Sequence, residues 1–98
     1  MEIRWTEEAS KNLESIYLYI HNENENAANK TIAGIFERIQ ILKQFLNIGH
    51  VYANRHNYEI RILIYGHYKI AYHIFDTEFV EILGIFHGAM NLEDHLTE

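Results

Sequence analysis

The sequence predicts one α+β domain over residues 1–98, in which a helical hairpin packs on one face of a curled antiparallel sheet. Apolar residues recur at helical spacing in the first half of the chain. From Val51 onward they alternate with a period of two, and the links between elements are short. Two amphipathic helices must bury their apolar stripes, and a sheet offers the surface for that. The predicted order is therefore β-α-α-β-β-β in two layers.

The N-terminal stretch "MEIRW" predicts a short first strand. Thr6 follows as a helix N-cap, with Glu7 and Glu8 in the first turn, where the helix dipole favours anions. The apolar stripe of this helix is Ala9, Leu13, Ile16, Tyr17 and Ile20. We expect the first helix to end at about Ile20.

The second helix is predicted to begin after Asn24, which is a good N-cap. Its apolar stripe is Ala28, Ile32, Ile35, Ile39, Leu42 and Leu46, with alternating steps of four and three. "NIG" is expected to end this helix, with Gly49 in the left-handed conformation. The short polar link between the helices predicts an antiparallel hairpin.

Three strands are predicted in the second half, in "NYEIRILIYG", "HYKIAYHIFD" and "EFVEILGIFH". Turns are expected at Tyr65-Gly66 and at residues 76–78, and short turns make neighbouring strands antiparallel. The region before them, with His50 and His56, is expected to be a loop.

Alternation also predicts which side chains share a face of the sheet. One set of alternating residues in each strand is expected beneath the helices, because an unpaired buried charge is costly. The three sets are Ile60, Ile62 and Ile64; Tyr68, Ile70, Tyr72 and Ile74; and Val80, Ile82, Gly84 and Phe86. The same argument assigns the polar residues to the opposite face, and these are Arg61, His67, Lys69, His73, Glu81 and His87.

Three interpretations of that polar face compete. Its charges could pair across strands, with Glu81 neutralising Lys69 or Arg61. Arg61, Lys69 and His87 could instead form an anion or phosphate site with a titratable member. The face could also dock another protein, because Leu63, Phe79 and other apolar residues are expected beside the charges.

Composition excludes several classes of function. The formal net charge of −6 argues against a general electrostatic nucleic-acid binder. The absence of cysteine excludes disulfides and thiolate metal sites, and no metal or cofactor is expected. His67 and His73 are roughly 20 Å apart along one strand, too far to share an ion. With no membrane-length apolar run and no signal-peptide pattern, the sequence predicts a cytoplasmic protein without membrane contact.

Three segments carry a resemblance to a known family. "IRWTEEASKNLESIYLYI", "EIRILIYGHYKIAYHI" and "VEILGIFHGAMNLEDHL" resemble, in the same order, the first strand and helix, the two middle strands and the closing strand of RelE/ParE superfamily toxins. The resemblance covers nearly the whole chain. It implies the toxin of a type II toxin–antitoxin pair, with a cognate antitoxin covering the sheet face and the C-terminal segment.

Two activities follow from this resemblance. ParE-like members inhibit DNA gyrase and are not known as nucleases, whereas RelE-like members are endoribonucleases that cut mRNA on the ribosome. The acidic balance and the tail "MNLEDHL" favour the ParE-like, non-enzymatic interpretation. A homodimer and a toxin–antitoxin hetero-oligomer both stay open.

For the RelE-like alternative, the resemblance assigns roles to three residues. Arg61 and Lys69 would hold the scissile phosphate, and His87 would be the general acid. Glu59, Glu81 and His67 are the candidates for a general base. Lys69 stands where the family more often has Arg, which motivates a third hypothesis, a non-toxic or degenerate adaptor of the same fold.

Overall fold

The computed structural model describes residues 1–55, 58–75 and 78–88, and it confirms the two-layer α+β class. Two helices pack on a five-stranded mixed sheet. The elements are β1 (Glu2–Trp5), α1 (Glu7–His21), α2 (Glu25–Gln40), β2 (His50–Arg55), β3 (Tyr58–Tyr65), β4 (Tyr68–Ile74) and β5 (Phe79–His87). Within the described ranges, no helix has the length and apolar character needed to cross a membrane.

Both predicted helix caps are confirmed. The Thr6 hydroxyl accepts a hydrogen bond from the Ala9 amide at 3.0 Å, and the Asn24 side chain accepts one from the Ala27 amide at 3.0 Å. These acceptors satisfy amide donors that the first turn of a helix leaves unpaired. Helix α1 ends at His21, and a short 3₁₀ turn, Ile41–Lys43, extends α2.

The sheet order is β1-β5-β4-β3-β2. Strand β2 pairs antiparallel with β3, so the predicted loop around His50 is wrong, while His56 lies outside the described residues. Strand β1 pairs parallel with β5. The helical hairpin takes the chain from β1 at one edge of the sheet to β2 at the other edge, and the following strands return step by step to β1. The turn at Gly66 is confirmed by its positive φ of 57°, and the expected turn at residues 76–78 lies partly outside the described residues.

The core lies between the helices and the face of the sheet that they cover, called the helix face here; the opposite face is the outer face. The apolar stripe of α2 is confirmed, since Ala28, Ile35, Ile39 and Leu42 are fully buried. The sheet residues that pack with the helices are Leu63, Ile70, Tyr72, Val80, Ile82 and Ile85. The prediction for β4 is therefore correct.

The prediction for β3 is wrong. Leu63 and Tyr65 pack toward the helices, whereas Ile60 and Ile62 lie on the outer face with Ala71, Phe86 and Leu83. Both faces of β3 bury apolar side chains, Leu63 on the helix face and Ile60 and Ile62 on the outer face, so the more apolar face of the strand is not the one that packs on the helices. Arg61 consequently lies on the helix face, and its environment is described below.

Strand β5 contains a bulge. Ala71 pairs with Gly84 and Tyr72 pairs with Ile82, which leaves Leu83 as an extra residue. An extra residue reverses the alternation of every side chain that follows it. Ile85 and His87 therefore lie on the helix face, opposite to the prediction.

Two side chains of the N-terminal region bind the backbone at this bulge. The Thr6 hydroxyl donates to the carbonyl oxygens of Ile82 at 2.9 Å and Leu83 at 3.2 Å. The side-chain oxygen of Asn12 accepts a hydrogen bond from the Ile85 amide at 3.0 Å. These bonds supply partners for backbone groups at the point where the strand pairing shifts.

We expect Thr6→Val to lower the free energy of unfolding by about 2 kcal/mol, because the variant loses both the helix cap and the donor to the bulge. Urea denaturation measures this change. Ser10→Ala, an exposed change in the first turns of the same helix, is the control and should stay within about 0.5 kcal/mol of wild type. Equal stability of the two variants would contradict the role given to Thr6.

Candidate functional site

His87, the last residue of β5, lines a cleft beneath α1. The cleft has a volume of about 580 Å³, within the range of ligand pockets. Its lining residues are Asn12, Ser15, Ile16, Tyr19, Tyr68, Ile85 and His87. The bulge in β5 creates this arrangement, because it turns Ile85 and His87 toward the helix.

The wall of the cleft is one side of α1, where Asn12, Ser15 and Tyr19 follow at spacings of three and four. The ring of Tyr68 meets the ring of His87 edge-on, with 5.9 Å between ring centroids. An apolar floor bordered by hydroxyl groups and an imidazole suits an aromatic or aliphatic side chain with a polar end. Sequence reasoning missed this wall, although the polar spacing of Asn12, Ser15 and Tyr19 beside the apolar stripe was a usable signal.

A smaller hollow of about 270 Å³ lies at the β3–β4 turn. It is lined by Ile64, Gly66, His67, Tyr68, Lys69, His87 and Gly88. The hollow brings Lys69 and His87 to one place, although their side chains start from opposite faces of the sheet. The rings of His67 and His87 are stacked, with centroids 6.3 Å apart.

Arg61 lies apart from this hollow. One terminal nitrogen of its guanidinium, Nη1, donates to the carbonyl oxygens of Asn47 at 3.0 Å and Gly49 at 2.6 Å, and its Nε donates to the Glu59 carboxylate. The predicted common face of Arg61, Lys69 and His87 is thus wrong. Arg61 is tolerated on the helix face because it lies at the margin of the core, where backbone carbonyls and a carboxylate satisfy its donors.

Asn47 and Gly49 belong to the connection between α2 and β2, and Tyr72 also binds this connection. Its hydroxyl donates to the Leu46 carbonyl at 2.9 Å and accepts from the Gly49 amide at 3.0 Å. Burial raises the pKa of Tyr72, so the hydroxyl keeps its proton. A side chain at Gly49 would meet the Tyr72 ring and the Ile62 carbonyl at 2.8 Å. Close approach therefore requires glycine here, and the predicted left-handed conformation is wrong, because Gly66 is the described glycine with positive φ.

The remaining predicted residues divide between the two ends of the sheet. Of the general-base candidates, His67 is beside His87, Glu59 is paired with Arg61, and Glu81 is aligned with Arg4 and His73 on the outer face. The catalytic roles stay predictions. Among the described residues, no three His, Asp or Glu side chains are grouped closely enough to hold a metal ion.

His73 is a buried polar side chain on the outer face. Its exposure is 3%, and neither ring nitrogen has a hydrogen-bond partner within the described part of the chain. The ring lies between those of Tyr58 and Phe75, at centroid distances of 3.9 and 4.1 Å. Burial lowers the pKa of His73, and the nearby Glu81 opposes this only in part.

Comparison with known proteins gives two similarities. A family model described as "ParE toxin of type II toxin-antitoxin system, parDE" matches residues 3–92. A solved chain from the "Chromosomal ParDE TA system from P. aeruginosa" is similar with a TM-score of 0.69 and 22% sequence identity, over 89% of this chain and 95% of that chain. At this identity, the structural similarity shows a shared fold. A search of the curated proteins found no match.

Arg61→Met should lower the free energy of unfolding by about 2–3 kcal/mol, because two carbonyls and a carboxylate lose their charged donor. Lys69→Met is the matched control, since Lys69 makes no hydrogen bond or ion pair with the described residues, and it should change stability by less than about 0.5 kcal/mol. Thermal and urea denaturation measure both variants. A stable Arg61→Met protein would refute the structural role of this residue.

The stability of the protein should decrease in acid because of His73. Its pKa is lowered in the folded state, so the unfolded chain binds the proton more readily, and the free energy of unfolding falls as pH drops below 6.5. The decrease continues until the folded-state pKa is reached. Urea denaturation at about pH 7.5 and about pH 5.5 measures the difference.

His73→Phe should reduce this pH dependence, because the variant has no imidazole to protonate at the buried position. His21→Gln changes an exposed histidine at the end of α1 and serves as the control. It should keep the pH dependence of wild type. If the two variants behaved alike, His73 would not be the source.

Proposed function

The chain belongs to the ParE toxin family of type II toxin–antitoxin systems, and from that premise we propose that it is a growth inhibitor that acts on DNA gyrase. Membership in such a system implies an antitoxin partner, and we propose that a cognate antitoxin neutralises this toxin. Gyrase acts on DNA in the cytoplasm, so the proposed site of action is cytoplasmic.

The hydrogen bonds that Arg61 makes within the fold are the observation that favours gyrase over mRNA as the target. A phosphate-binding arginine offers its guanidinium donors to the scissile phosphate and the developing negative charge. Here Nη1 and Nε already bind Asn47, Gly49 and Glu59 within the fold. Arg61 therefore serves the connection between α2 and β2, which supports a toxin that acts by binding.

The charge of the chain supports the same choice. At a formal net charge of −6, the protein repels the RNA backbone, which disfavours RNA as its target. The cleft beneath α1 is the proposed contact surface. Tyr19 at its margin is 73% exposed, and tyrosine combines a large apolar ring with a hydroxyl, which is typical of residues that dominate protein interfaces.

One observation favours RNA cleavage as the second candidate. Lys69 and His87 line the same hollow, and the ring of His67 stacks with that of His87. A cation and two imidazoles in one place are a plausible set for phosphate binding and proton transfer. In this alternative, Arg61 has no part in the reaction.

A supercoiling assay with purified gyrase and purified toxin tests the proposal. We expect supercoiling to decrease as toxin is added, and Tyr19→Ala to weaken the inhibition by about tenfold or more. Tyr52→Ala, an exposed tyrosine on the edge strand β2, is the control and should inhibit like wild type.

The same preparations should be incubated with ribosomes and mRNA, and the RNA ends mapped. Unaffected gyrase together with new RNA ends that disappear in His87→Ala would overturn the proposal in favour of cleavage. Normal growth after induction of the toxin alone would instead support a non-toxic adaptor.

A further inference from the structure

The hollow at the β3–β4 turn is a small basic site. The described residues that line it include one lysine and two histidines, and no acidic side chain is among them. In the whole chain, by contrast, acidic residues outnumber lysine and arginine by 14 to 8. A local excess of positive charge on an acidic protein attracts anionic groups, so the hollow is a candidate for binding an anion.

Lys69 supplies the permanent charge of the hollow, and the fold does not use its ammonium. The residue is half-buried, yet it makes no hydrogen bond or ion pair with the described part of the chain. A partly buried charge is stabilised when a group of opposite charge pairs with it. Lys69 therefore has a charge available for a ligand from outside the chain.

Two backbone features hold the imidazoles near Lys69. The chain turns at Gly66, which has a φ of 57°, and the Gly88 amide donates to the His67 carbonyl at 2.6 Å. The second contact ties the end of β5 to the turn, and the rings of His67 and His87 stack there with centroids 6.3 Å apart. An imidazole carries an N–H group that can donate to an anion. Because the fold already holds the three side chains at one end of the sheet, the ordering cost of binding is reduced.

A carboxylate suits the hollow better than a phosphate. Phosphate sites typically use a bidentate arginine or the amides of a helix N-terminus, and neither is found among the described residues of the hollow. Arg61 is bound to the connection between α2 and β2 instead. An RNA chain would also bring a row of phosphates toward a protein of net charge −6.

The surroundings of the hollow suit an acidic side chain of a protein. Ile64 lines the hollow and is 44% exposed, so it offers apolar contact to the methylene groups of aspartate or glutamate. Tyr68 and His87 line both the hollow and the cleft beneath α1. The two sites are therefore adjacent, and a protein seated in the cleft can place a neighbouring side chain in the hollow.

We propose that the hollow binds the carboxylate of an aspartate or glutamate side chain of the protein partner that occupies the cleft, with the Lys69 ammonium as its counter-ion. His67 and His87 contribute hydrogen-bond donors at the wall. The proposal rests on the proposed function only for the identity of the partner, because carboxylate binding is measured without gyrase.

Nuclear magnetic resonance titration of the purified protein with N-acetylaspartic acid α-amide, at constant pH and ionic strength, tests the proposal. We expect saturable shifts in the ring resonances of His67 and His87. The neutral isostere N-acetylasparagine amide should leave these resonances unchanged. Lys69→Met should weaken carboxylate binding by about two- to fivefold, the size of a solvent-accessible ion pair. Lys43→Met changes an exposed lysine in the 3₁₀ turn after α2, and this control should bind like wild type.

Amide spectra establish that each variant is folded, and Lys69→Gln decides the outcome if Lys69→Met is not. Three results would each overturn the proposal: no saturable shift with the carboxylate, equal binding of the neutral amide, or tighter binding of a short oligothymidylate, which would indicate a phosphate site. A protein that inhibits gyrase without binding the carboxylate would refute this proposal alone. Carboxylate binding by a protein that leaves gyrase untouched would refute only gyrase as the partner.

Discussion

The bulge in β5, with the hydrogen bonds that Thr6 and Asn12 make to it, determines which side chains the second half of this strand turns toward the helices. Before the bulge, Val80 and Ile82 face the helices; after it, Ile85 and His87 do. One extra residue thus lets the strand keep apolar contact with α1 along its length and delivers an imidazole to the cleft. Thr6 also begins α1, so the start of the helix and the geometry of the strand are fixed by one hydroxyl.

The fold was largely predictable because it follows from periodicity. The caps at Thr6 and Asn24 and the stripe of α2 are local signals, and each is present in the structure. The predicted sheet faces are correct in β4 and in the first part of β5, as far as Ile82. In β3 both faces bury apolar side chains, and the charges of one face are satisfied within the fold. In β5 the alternation is broken at a bulge whose hydrogen-bond partners are more than 70 positions away in the chain.

The candidate site was less predictable than the fold because it depends on those same faces. Lys69 and His87 do meet, but at a strand end and from opposite sides. Arg61 instead binds the connection between α2 and β2. The sequence could not reveal this role, because the carbonyls that Arg61 binds belong to a connection without a motif. For His73 the predicted face is correct. Its burial was not predictable, because it depends on the rings of Tyr58 and Phe75 from neighbouring segments.

The parallel pairing of β1 with β5 has a consequence for how the protein folds during its synthesis. Glu2 is aligned with Phe79, so the first strand emerges from the ribosome long before its partner exists. Until the last strand has been synthesised, the carbonyls that Thr6 binds are also missing, and the sheet cannot close. Such a distant pairing slows folding, because a long segment of chain must be brought together before the contact forms. A nascent chain that does not yet include β5 therefore lacks the partner of its first strand and the acceptors of Thr6.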